Sequence, residues 1–417
     1  MPKDEKLIMD HTVYFNSVTK PVPPVRRDIQ MIPVQSNGDF YFYFYDALKY
    51  TNPEFALNRQ VEPVLSLING RLSIEQIREM LGGSIEKEDL LKFIQMLDQE
   101  MLLETDQFKN YSRSVEENYE KQSVRQPLLA GSSYPAEKEE QYEYVRSLLD
   151  SESSSSPYKP QKALFAPHID TDIGGSSYAK AFSTIKSLTP KRVVILATSH
   201  YSGYYPGLYE NKPFIGSRKT HLSAAGNLKV DEEYLDQLKK NSESIGYTEK
   251  DRAHRTEHSI ELHLLFANHV WNHDFKIVPI LVGSFEELFY KKDGALNNYI
   301  NNFSDLIKSL DDPDTFYLIS GDLSHIGMKF GDDRPASNMR NRVSVFDKAF
   351  LELASKNRSE DLLEHISTGY DPFRVCGFPP ILTFLKTFPK VNGKILDYQW
   401  WDESDRHSAV SYGIIGY

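Results

Sequence analysis

Apolar and polar positions alternate in two different rhythms along this chain, and the change of rhythm predicts two folding units. Val64, Leu65 and Ile68 recur at helical spacing before Asn69 and Gly70 interrupt them. Ser73 with Gln76 then forms a capping box that opens a second helix carrying Ile77 and Leu81. The run EDLLKFIQMLDQEMLLE, which ends in Leu102 and Leu103, keeps the 3.6-residue period and predicts a third helix. Ahead of them, the aromatic stretch DFYFYFYDALKYT reads as a strand that breaks into a turn. These elements predict a small, mainly helical unit over residues 30–105, behind a polar segment at residues 1–29. Four prolines fall between Pro21 and Pro33. The polar, charged stretch QFKNYSRSVEENYEK reads as part of a linker over residues 106–124.

From Arg125 onward the pattern changes. Apolar runs of strand length (KALFAPH, RVVILATSH, FKIVPILVG, DTFYLISGD) alternate with helical patterns such as SSYAKAFSTIKSL, EHSIELHLLFANHVW and GALNNYINNFSDLIKSL. That alternation predicts an α/β domain over residues 125–417, with a sheet and crossover helices. GKILDYQWWDE and SAVSYGIIGY add two more strands, and Ser153 to Pro157 reads as a surface loop. A length of 417 residues exceeds the roughly 250 to 300 that one core fills, which agrees with two units.

Composition narrows the partners. The net charge of −11, with no run of Lys and Arg among aromatics, repels a polyanion and argues against nucleic acid. No apolar run is long enough to span a membrane, and MPKDEKLIMD lacks a basic segment followed by an apolar one. A cytoplasmic protein is expected. The single cysteine, Cys376, excludes an intramolecular disulfide and a multi-cysteine zinc site. In the first unit, a short helix, GRLSIEQI, a glycine turn and a longer helix ending in two leucines resemble PqqD-like and winged-helix modules. That resemblance implies a peptide or protein partner. The acidic composition of the segment argues against DNA.

Three histidines close strand-like runs: His168 after ALFAP, His200 after VVILATS, and His325 after FYLISGDLS. In open α/β sheets ligands bind beyond the carboxyl ends of strands, and imidazole is the commonest metal ligand. Asp170, Asp172 and Asp322 stand close enough in sequence to ligate a metal or orient an imidazole. RTEHSIELHLLFANHVW predicts an amphipathic helix whose start carries Glu257 and His258. Glu257 there suits the helix dipole, while His258 should stay neutral and able to accept a proton. His263, about 500° further round the helix, reads as structural. Gly174 and Gly175 precede a predicted helix and could offer N–H groups to an anion. The tyrosines of HYSGYYPGLY line a pocket or pack as a loop on the sheet.

Together, RQPLLAGSSYP, APHIDTDIGGSSYAKAF, TSHYSGYYPGLY, HRTEHSIELHLLF, VPILVG, SGDLSHIG, CGFPPI and SAVSYGIIGY follow one another as in the Memo family, the AmmeMemoRadiSam system protein B family. The resemblance implies a fold like that of the class III extradiol dioxygenases, with a metal pocket. It also implies partners, because bacterial members occur beside radical-SAM and AMMECR-type proteins. His168 and His200 match the first two family histidines. Animal members carry a cysteine as third ligand where this chain has Ser324, and a serine hydroxyl serves soft metals poorly. That departure counts against copper without removing it from the candidates, which are Fe(II), Zn(II) and copper. It leaves His168 and His200 with a further ligand from His325, His258 or a carboxylate. The set expected first is His168, His200 and His325, with His258 as general base. Cys376 reads as a small buried residue that could also approach the pocket. Two function classes follow: metal-dependent redox chemistry, or a peptide-binding module on a degenerate dioxygenase-like fold.

Overall fold

A computed structural model describes residues 14–151 and 158–417 of the chain, so the loop expected at Ser153 to Pro157 and the opening MPKDEKLIMD lie outside the described residues. The chain divides into two compact units that meet at Lys121 and Gln122.

In the first unit, strands β1 (Ile29–Ser36), β2 (Asp39–Asp46) and β3 (Ala56–Asn58) form an antiparallel meander. Asn37 and Gly38, both at positive φ, make the tight turn between β1 and β2. Helices follow at Glu62–Leu65, Ile74–Met80 and Lys87–Gln99, and the capping box of Ser73 and Gln76 is present. Phe42, Phe44, Ile74, Ile77, Ile94 and Leu97 fill the core. β1 escapes sequence reading because it is an edge strand with almost every residue exposed. The stretch expected as a linker is instead a helix, Asp106–Lys121. It is polar overall, yet Phe108 and Tyr119 turn inward. The Arg26 guanidinium sits 4.1 Å over the Phe108 ring, and Tyr50 donates its hydroxyl proton to buried Glu116. Those few contacts anchor a helix whose composition alone looks solvated.

The second unit opens with β4 (Val124–Arg125), which pairs with β8 (Thr220–His221). Among the described residues its main sheet has nine strands: β5 (Ala163–Ala166), β6 (Arg192–Thr198), β7 (Phe214–Gly216), β9 (Tyr247–Thr248), β10 (Lys276–Val282), β11 (Thr315–Ser320), β12 (His325–Gly327), β13 (Lys394–Glu403) and β14 (Ser408–Gly416). The order runs β12-β14-β5-β11-β6-β10-β7-β9, with β13 on the outer side of β14. The four central strands β5, β11, β6 and β10 are parallel and buried almost throughout. Strands covered by helices on both faces read as continuous apolar runs, which is why these four were legible. The helices Thr171–Ser183 and Ala295–Ser309 connect β5 to β6 and β10 to β11. The fold is α/β with a mixed sheet and crossover helices.

Gly174 and Gly175 lie inside the helix Thr171–Ser183 rather than ahead of one, so their amides serve the helix. A Cβ on Gly174 would meet Ile169 at 2.5 Å, and one on Gly175 would meet Leu148 at 2.9 Å. Close packing, not anion binding, accounts for both glycines. Among the described residues, no helix is long and apolar enough to cross a membrane.

Candidate metal centre

β5 and β6 flank β11, and all three run parallel, so the residues after their carboxyl ends meet at one place. His168 follows β5 by two residues and His200 follows β6 by two. The third member arrives from elsewhere. His258 lies in the turn that leads into the helix Glu261–Val270. Ligand atoms of His168, His200 and His258 all lie within 4.8 Å of one another. The His200 and His258 rings stack with centroids 5.0 Å apart, and His168 meets both edge-on at 4.9 and 5.3 Å.

Hydrogen bonds fix which nitrogen two of the rings, His168 and His200, present. The Ser320 hydroxyl, at the end of β11, donates to the Ser259 carbonyl at 2.6 Å. Its single proton is thereby spent, so at 3.1 Å it accepts from Nδ1–H of His168. Nε2 of His168 is left as an acceptor inside the cluster. The Glu257 carboxylate, only 1% exposed, accepts the His200 amide at 2.8 Å and its Nδ1–H at 2.9 Å. It also accepts the amides of His258 and Ser259. His200 therefore turns its Nε2 away from Glu257.

Charge follows the same geometry. Burial alone would raise the Glu257 carboxyl, but the His200 and His258 imidazoles hold it at about 2. Burial pulls His200 down, yet the Glu257 charge beside it keeps its affinity for a proton well above the ordinary value. His168 is pushed well below its ordinary range by burial and by the neighbouring imidazoles, so its Nε2 stays unprotonated. An unprotonated, oriented imidazole is what a metal ion requires. His168 meets that condition as it stands, and at His200 a binding ion would displace the Nε2 proton, so the donor set fits a divalent cation that binds with release of a proton.

Two expectations change here. The helix begins at Glu261, so Glu257 and His258 precede it, and the dipole argument for both fails. Glu257 is instead the carboxylate that orients His200, a role hidden by its ordinary place near a helix start. His325, expected as a ligand, is not among the gathered side chains. It opens β12, where Nδ1 faces the carbonyls of Leu323 and Arg374 at 3.1 Å and the ring packs edge-on against Phe330. His263 donates Nε2–H to the Pro167 carbonyl at 2.9 Å and so supports the strand end from beneath. Asp170 caps the helix Thr171–Ser183. Asp172 accepts from Tyr144 at 3.4 Å, away from the cluster.

Ser324 is committed to other partners. Its hydroxyl donates to Asp347 at 2.6 Å, and Ser411 and Tyr398 donate to the same fully buried carboxylate. The lone cysteine does reach the pocket. Cys376 Sγ lies 3.4 Å from Nε2 of His168, and His168, Asp322 and Cys376 form a second group with ligand atoms within 4.8 Å. A pair of glycines makes this approach: a Cβ on Gly321 would stand 2.2 Å from the Gly377 Cα, and the Gly377 amide donates to the Asp322 carbonyl at 2.8 Å. Thr198 of β6 holds the Cys376 carbonyl at 2.8 Å.

Beside the cluster opens a cavity of about 520 Å³, with His200 and Cys376 in its wall and Phe285, Phe289 and Phe378 among its lining. Tyr205 and Tyr209 line a separate cavity, and the Tyr209 hydroxyl is tied to the Lys250 carbonyl at 2.8 Å.

Comparison with known proteins identifies relatives of this chain. Residues 125–415 match the family described as Memo-like protein. A MEMO1 family protein of Aquifex aeolicus is 25% identical over 397 residues, which cover 93% of this chain and 99% of the relative. A MEMO1 family protein of Saccharolobus islandicus is 30% identical over 70% of this chain and 97% of its own length. The mouse protein MEMO1 is 28% identical over 69% of this chain and 95% of its own. With the family matched across the whole α/β unit, the chain belongs to the Memo family, and its sheet carries at the β5 and β6 ends a histidine group able to hold a metal ion.

Proposed function

We propose that the protein is a metal-dependent protein in which His168, His200 and His258 hold a divalent metal ion: Fe(II) or copper would support redox chemistry there, whereas Zn(II), which has no redox chemistry, would act only as a Lewis acid. The observation that carries this reading is the pair of fixed tautomers: Ser320 and Glu257 each accept an Nδ1–H and leave an Nε2 for the metal. The ion would supply Lewis acidity or electron transfer. The chain's own residues do the rest. Glu257 orients His200, Ser320 orients His168, and Phe285, Phe289 and Phe378 give the adjoining cavity an apolar wall for a small substrate. His258 serves as a third ligand in this reading, in place of the general base expected from its sequence position, because its ring nitrogen lies with the other two. Action beside radical-SAM and AMMECR-type proteins in a reducing cytoplasm belongs to the same proposal, with family membership as its support.

Elemental analysis of protein purified without oxygen tests the reading. Wild type is expected to carry close to one equivalent of iron, zinc or copper, and a His168→Ala, His200→Ala double variant to carry none. An empty wild type that cannot be reconstituted would turn attention to the alternative, a peptide-binding module.

A further inference from the structure

The chain between the helices Ser359–Ser367 and Phe378–Thr387 forms one wall of the cavity beside the cluster. It is held in a strained conformation. Gly369, Tyr370, Asp371 and Arg374 all take positive φ, of 82°, 57°, 53° and 57°, and three of the four carry side chains. A long side chain in the left-handed region persists only where its surroundings over-determine it, and such residues gather at ligand sites.

Arg374 is over-determined by its partners. Its Nε–H donates to the His325 carbonyl at 2.8 Å, and Nδ1–H of His325 donates back to the Arg374 carbonyl at 3.1 Å. The His325 amide also holds the Phe373 carbonyl at 2.7 Å. Nη2 of Arg374 donates to Asp332. His325, which is not a ligand, thus positions a guanidinium. Nη1 takes no hydrogen-bond partner among the described residues, and Arg374 lines the same cavity as Phe285, Phe289 and Phe378. A guanidinium is always charged and only donates, so what it lacks is an acceptor, best an anionic one. Of the acids in that wall, Asp371 turns both oxygens to the Val375 amide, at 2.9 and 3.1 Å, and Glu286 is exposed.

From this geometry we infer that Arg374 anchors the carboxylate of an organic acid whose apolar body lies against Phe285, Phe289 and Phe378. The contact is made through Nη1 alone, because Nε and Nη2 are committed, so the acid is held end-on rather than by a two-pronged fork. A cavity of about 520 Å³ has room for a ring-sized molecule. The inference deepens the proposal above by naming a substrate class, and it rests on that proposal only in taking this cavity for the substrate's place.

Cyclohexanecarboxylate and cyclohexanecarboxamide, alike in shape and different in charge, are the probes. Their dissociation constants for metal-free full-length protein are read by ligand-observed NMR. With no ion present the acid cannot owe its affinity to coordination, so this test and the elemental analysis above fail separately. The acid is expected to bind about tenfold tighter than the amide, the worth of one hydrogen bond to a charged group. Arg374→Gln should erase that preference. Asp332→Asn, which lifts a competing charge from the guanidinium, should widen it about threefold, a gain that loss of folding does not imitate. Equal binding of the two probes, binding of neither, or a preference that both substitutions leave unchanged overturns the assignment of Arg374 and leaves the histidine site standing.

Discussion

At the scale of single residues, the centre depends on groups that never touch the proposed ion. Glu257 is the clearest case. Replacing it with Gln keeps the shape but removes the charge that holds Nδ1–H of His200, so metal affinity should fall about 10- to 100-fold. Competition with a chromophoric chelator measures this, and an unchanged affinity would remove Glu257 from the design. Asp347 makes a pH prediction. Burial lifts its carboxyl from 3.8 to about 6 in the folded protein, against the pull of three hydroxyl donors. A folded state that binds the proton more tightly than the unfolded chain is favoured at low pH. The Asp347 contribution is therefore fully present below about pH 4 and lost as pH rises through about 6. Melting temperatures across that window should decline in wild type relative to Asp347→Asn; parallel curves would refute the assignment. His168 and His200 were legible in sequence because apolar runs ended in them. Glu257 was visible but misread, since an acidic residue near a helix start already has an ordinary explanation. For Cys376 the sequence offered both a buried residue and an approach to the pocket, and only the fold decides, because what brings it to His168 is the contact of Gly321 with Gly377, residues far apart along the chain.

At the scale of elements, the parallel core of β5, β11, β6 and β10 was readable and the pieces around it less so. Buried strands write continuous apolar runs, whereas β1 is an exposed edge and the helix Asp106–Lys121 buries only Phe108, Glu116 and Tyr119. The helix expected to start at Glu257 starts at Glu261, a shift that moves two site residues from a helix into a turn. The contact between the β11 end and the loop ahead of the helix Phe378–Thr387 yields a further prediction. In Gly377→Ala the new Cβ would stand 2.8 Å from the Asp322 carbonyl oxygen and 3.0 Å from Phe165. Overpacking of this kind costs about 1–3 kcal/mol. Urea unfolding should show that loss, and iodoacetamide should reach Cys376 faster as its loop is displaced. Wild-type stability in the variant would mean the backbone yields without strain.

At the scale of the whole molecule, every residue of the centre belongs to the unit that begins at Gln122, and each unit has its own apolar core. A chain comprising residues 122–417 should therefore bind metal with the stoichiometry of the full protein, as read by elemental analysis; a loss would show that the first unit is needed to complete the site. The topology also governs when the centre can come into being. β5 pairs with β14, where Phe165 faces Ile415, and with β11, where Ala166 faces Ser320. A ribosome adds about 5–20 residues per second, so His168 waits on the order of tens of seconds for the strand that will lie beside its own. Until then the β5 edge is bare and the imidazoles have no common geometry. On the proposed reading, metal acquisition would follow the synthesis of β14, and its timing would be open to control by whatever delivers the ion.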